Sequence, residues 1–78
     1  MELSGVQVKM ARVALGIGVR ELAARAKVAQ DTISRLERGE QLKERTIDAI
    51  RSSLEAAGIE FLDNDGVRLK RLPAGDDA

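Results

Sequence analysis

Within six positions the chain carries an amide, a carboxylate, two hydroxyls and a guanidinium: Gln30, Asp31, Thr32, Ser34 and Arg35. These groups give and accept hydrogen bonds, and none is a ready nucleophile or a base that works near neutral pH. The rest of the sequence supplies no such group, because it has no histidine and no cysteine. Its carboxylates are scattered, without the pairing of acid–base catalysis or the spacing of a metal site. Gly16-Ile17-Gly18 is too short to cradle a phosphate and follows helical periodicity where a strand is required. The expectation is a protein that recognises rather than catalyses: not an enzyme, with no metal and no cofactor.

Recognition needs those side chains on a fixed face, and helical spacing supplies one. Over residues 30–37 Ile33 and Leu36 fall on the inner side, while Gln30, Asp31, Thr32, Ser34 and Arg35 fall outward; a solvated surface helix has the same pattern. Gly39 is placed to end this helix in a left-handed conformation. Before it, Ser4 and Gln7 stand at capping-box spacing, with Leu3 and Val8 as the flanking apolar pair. A first helix is expected over residues 5–15 with Val8, Ala11, Arg12 and Leu15 on one face, and a second over 19–26 with Leu22, Ala23 and Ala26 inward. A fourth helix starts at Lys43 or Glu44 and runs to Ala57, where Ile47, Ile50, Leu54 and Ala57 form its stripe and Gly58 stops it. Beyond Gly58 the period changes to two. Ile59 and Phe61 alternate with Glu60, a turn follows at Asp63-Asn64-Asp65-Gly66, and Val67 and Leu69 alternate with Arg68 and Lys70, the pattern of a β-hairpin.

The fold class expected is therefore mainly α: a compact four-helix domain over residues 1–58, a short C-terminal β-hairpin over 59–72, and a flexible acidic tail over 73–78. A domain of 78 residues buries only about 60% of the surface its unfolded chain exposes. Its core of Val, Ile, Leu and Ala must stand without a disulfide. Met1-Glu2-Leu3-Ser4 lacks the basic start of a signal peptide, and no apolar run reaches ~18 residues; with the absence of cysteine this fits a cytoplasmic protein that meets no membrane. Formal net charge is zero, which argues against binding nucleic acid by bulk positive charge. The distribution is uneven: Lys9 to Arg45 carries nine Lys/Arg and five Asp/Glu, Thr46 to Ala78 four and seven.

Two short helices with a tight connection, the second ending in Leu36-Glu37-Arg38-Gly39, resemble the phage-repressor/Cro-like helix-turn-helix family of transcriptional regulators, also called the Xre type. The resemblance covers residues 4–58: Ala11-Arg12 with Leu15-Gly16, Glu21-Leu22-Ala23, the run from Thr32 through Gly39, then Thr46-Ile47 with Ile50 and Leu54. It implies a protein that binds double-stranded DNA, with the third helix in the major groove. On that footing Gln30, Asp31, Ser34 and Arg35 read bases, while Thr32, Arg38, Lys43 and Arg45 touch phosphate. It also implies a structural ion pair between Arg12 and Glu37 that clamps helix 3 to helix 1.

Four positions depart from the resembled pattern. Gly18 and Ala29 stand where hydroxyl residues usually cap helices 2 and 3, Val19 replaces a polar residue that touches phosphate, and Lys27 replaces the glycine of the turn. The lost caps favour a rival expectation, a protein-interaction module of the same fold, such as an antitoxin or co-regulator partner with weak or lost DNA binding. A homodimer is expected through the hairpin residues Ile59, Phe61, Val67 and Leu69, because an isolated hairpin is marginal in water and twofold symmetry suits paired half-sites. Helix 4 of the same chain is the alternative surface for part of this set, and the sequence leaves open whether the hairpin pairs within the chain or between chains.

Overall fold

The computed structural model of the chain describes residues 3–63 and 65–70. Its elements are α1 (Gly5–Leu15), α2 (Val19–Ala26), α3 (Gln30–Glu37), α4 (Glu44–Ala56), β1 (Ile59–Phe61) and β2 (Val67–Leu69). This is the expected architecture of four helices followed by an antiparallel two-stranded hairpin. Asn64 of the turn, positions 71–72 of the expected hairpin and the expected tail at 73–78 lie outside the described residues.

Local chemistry starts and stops the helices. The Ser4 hydroxyl accepts from the Gln7 amide at 3.2 Å, and the Ser4 amide donates to Gln7 Oε1 at 3.0 Å, so two of the amides left open at the start of α1 are satisfied reciprocally. Gly16, in the left-handed region at φ 72, ends α1. Helix α4 stops one residue short of expectation: Ala57 leaves helical geometry at ψ 0, and Gly58, at φ 108, turns the chain into β1.

The apolar stripes meet in one core. Val8, Leu22, Ile33 and Ile50, one from each helix, are fully buried, and Leu54 and Ile59 are nearly so; each such side chain contributes about 1.5–3 kcal/mol. Gly5 sets the distance between α1 and α3. A Cβ there would overlap the Leu36 carbonyl oxygen and stand 3.0 Å from the Glu37 Cα, so only glycine lets the first turn of α1 meet the last turn of α3.

The hairpin closes over this core. Ile59 pairs with Leu69, Glu60 with Arg68 and Phe61 with Val67, and the exposed Glu60 and Arg68 side chains form an ion pair across the strands. Gln7, only 1% exposed, gives the two hydrogens of its side-chain amide to the carbonyls of Leu62 and Gly66, each at 3.1 Å. One side chain therefore caps α1 with its oxygen and holds the hairpin with its nitrogen.

Lys27, the cap residue of α2, is left-handed at φ 61 and ψ 44. A side chain in that region costs roughly 1–2 kcal/mol. Glycine relieves the crowding but adds disorder to the unfolded chain. Lys27→Gly is expected to gain about 1 kcal/mol net, raising the melting temperature by about 4–8 °C. Lys27→Ala keeps the Cβ and is expected to give no rise. Thermal unfolding of the two variants checks this, and equal melting temperatures would count against strain at this turn.

Candidate nucleic-acid interface

The α2–α3 pair is joined by residues 27–29. The left-handed Lys27 folds the chain back, and the Val28 amide closes the turn on the Ala23 carbonyl at 3.0 Å. α3 is then seated by Ile33 and Leu36, both buried. The opposite side of α3 presents Gln30, Asp31 and Arg35, all exposed, whereas Thr32 and Ser34 are half-buried along its flanks. Neither Gly18 nor Ala29 supplies a side-chain cap to its helix.

The far end of α3 is fixed to α1. Arg12 grips Glu37 with two hydrogen bonds, Nε to Oε2 at 2.8 Å and Nη2 to Oε1 at 3.0 Å, and its Nη1 reaches the Ile17 carbonyl at 3.3 Å. The two side chains are only 16% and 11% exposed. The Arg12 guanidinium is held above its usual pKa, chiefly by the hydrogen bond it gives Glu37, with burial acting the other way. Three donors of this arginine thus join α1, the α1–α2 turn and the end of α3.

Past Glu37 the chain reverses. Arg38 stays helical, Gly39 turns left-handed at φ 97, the Gly39 amide bonds the Leu36 carbonyl at 2.9 Å and the Glu40 amide bonds the Arg35 carbonyl at 3.0 Å. That pair of bonds is the Schellman arrangement of helix ends. It returns Glu40 over the final turn, where Arg35 Nε donates to its Oε1 at 2.8 Å and Arg38 Nη2 to its Oε2 at 3.4 Å. The hydrogen bond from Arg35 is the main influence holding the Glu40 carboxyl below its ordinary pKa, and in return Glu40 raises that of Arg35. Glu40 was absent from the sequence expectations. Its signal is Gly39, since a left-handed residue two positions beyond the helix brings position 40 back to position 35.

Lys43 and Arg45 are exposed at the start of α4, the lysine as its extended cap residue. The hairpin set divides. Ile59 is 1% exposed and Leu69 50%, while Phe61 and Val67 are partly buried against the same core as Ile59. Ile59 therefore faces its own chain, and Leu69 is the member of the set most open to a second one. Among the described residues no helix is long and apolar enough to cross a membrane, and no group of three or more His, Cys, Asp or Glu is arranged to hold a metal ion.

The family described as a helix-turn-helix domain matches residues 5–60, a span that runs from the first residue of α1 into β1. No curated protein and no solved structure matches the chain.

Proposed function

The chain belongs to the helix-turn-helix domain family, and from that premise we propose that it is a sequence-specific, double-stranded DNA-binding regulator of transcription of the phage-repressor/Cro type, acting in the cytoplasm as a homodimer. The observation that carries this reading is the outward side of α3, where Gln30, Asp31 and Arg35 are exposed behind a buried Ile33–Leu36 seat. An α-helix fits the major groove with its N-terminal side chains on base edges. In this reading Arg35 takes a guanine, Gln30 suits adenine, Asp31 suits the amino group of cytosine, and Ser34 lies beside them. Thr32, Arg38, Lys43 and Arg45 bond phosphate, which fixes register and carries no sequence information. Dimerisation draws support from the exposed Leu69 on a hairpin that forms a sheet of two strands among the described residues, and the paired half-sites of a twofold operator would match it.

Arg35→Ala is expected to lower the preference for a selected duplex over random DNA by roughly 5- to 150-fold, the worth of one bidentate arginine–guanine contact. Lys43→Ala is expected to weaken both duplexes about equally and to reduce the salt slope by roughly one unit. Titrating selected and random duplexes at several salt concentrations makes the comparison. An unchanged ratio for Arg35→Ala would remove α3 as the reader. It would favour the interaction-module reading instead, which the uncapped starts of α2 and α3 support.

A further inference from the structure

Glu40 puts a negative charge on the two arginines that flank the end of α3. Its pairing with Arg35 leaves both side chains 44% exposed, and exposed pairs of this kind contribute little to stability. The contact is nonetheless well fixed. Glu40 is tied by its own amide to the Arg35 carbonyl at 3.0 Å, so the backbone bond and the side-chain bond between residues 35 and 40 close one ring. Arg35 is engaged through Nε, which leaves the two terminal nitrogens at the tip of the guanidinium as the edge available for a forked bond.

We infer that Glu40 is a specificity-determining residue: it positions Arg35 to meet a base end-on, and its charge disfavours binding of α3 to DNA that offers only phosphate. The inference rests on the DNA-reading proposal above. Its physical basis is twofold. A guanidinium held from behind loses less freedom when it forms its fork, which raises the specific-to-random ratio. A carboxylate near the phosphates weakens binding to every sequence alike, which leaves that ratio but lowers the affinity for random DNA. Arg38, held by the other oxygen of Glu40 at a longer distance, is subject to the second effect.

The test starts by enriching a preferred duplex from a randomised pool with the wild-type protein. Affinities for that duplex and for random DNA are then measured for wild type, Glu40→Gln, Arg35→Ala and the double variant. Glu40→Gln is expected to melt within a few degrees of wild type, to bind random DNA several-fold more tightly, and to lose about five- to tenfold of the specific-to-random ratio, part of what one bidentate contact supplies. In the Arg35→Ala background the same change is expected to leave the ratio where it is. A ratio unaltered by Glu40→Gln alone overturns the inference while leaving the DNA reading intact, as does an equal loss with and without Arg35. Failure of the wild type to enrich any sequence removes the DNA reading and the inference together.

Discussion

Glu37→Ala is expected to destabilise the domain by about 3 kcal/mol, the low end of the range for breaking a buried ion pair. The loss arises less from the pair's attraction than from Arg12, which keeps its charge at 16% exposure with the Ile17 carbonyl as its remaining bond in the trio. For a chain of 78 residues whose total stability is about 4–12 kcal/mol, that is a large fraction. Thermal unfolding should show a fall of about 12–24 °C. Replacing both partners with apolar residues, Arg12→Met with Glu37→Leu, is expected to recover much of the loss, because no charge is then stranded. A double variant no more stable than Glu37→Ala would show that the pair itself, and not the stranded arginine, sets the cost. DNA affinity measured on the folded fraction separates clamping from direct contact: a clamp moves stability first.

The second large effect is expected at Gln7. Gln7→Leu keeps the volume nearly constant but strips an acceptor from the Ser4 amide and a donor from each of the Leu62 and Gly66 carbonyls. The Gly66 carbonyl keeps the Leu62 amide at 2.9 Å, so the Ser4 amide and the Leu62 carbonyl are the two groups left without the partner Gln7 gave them. At about 1–3 kcal/mol each in partly buried surroundings, a total near ~2–6 kcal/mol is expected, read from the midpoint of urea unfolding. Gln7→Glu adds a check of sign. A carboxylate aimed at two carbonyls is disfavoured, so the pKa of a Glu at this position rises in the folded state above its unfolded value. The variant's stability is then highest below the unfolded pKa and declines as pH rises through the folded one. A flat pH profile relative to wild type would mean that the hairpin turns away and lets water reach the site.

What was legible in the sequence was whatever acts over short separations. Ser4 and Gln7 stand three apart and announce a cap, Gly39 and Gly58 announce helix ends, and the change from helical to alternating period announces the hairpin. The Arg12–Glu37 pair was reached through the family resemblance, because spacing alone does not join residues 25 apart. Three features were hidden for a common reason. The closeness of Gly5 to Leu36, the second role of Gln7 and the inward commitment of Ile59 all depend on which distant element lies opposite, and one-dimensional periodicity states only that a face is apolar. Glu40 was hidden differently: its partners are local, but it looked like one more solvated charge until the reversal at Gly39 gave it a direction.

The two bonds from Gln7 to the hairpin span sequence separations of 55 and 59 residues, and that gives the domain a clock. A ribosome adding about 5–20 residues per second needs roughly 3–12 s to travel from codon 7 to codon 66. Until residue 66 is added the amide nitrogen of Gln7 lacks at least one of the two carbonyls it bonds in the fold, and Ile59, 1% exposed in the fold, joins the chain only seven residues earlier. The helices α1 to α4 are complete in sequence before the strand that covers them exists. The two bonds from Gln7 to the hairpin and the cover that Ile59 gives the core are thus among the last of the described contacts whose residues are all present on the growing chain.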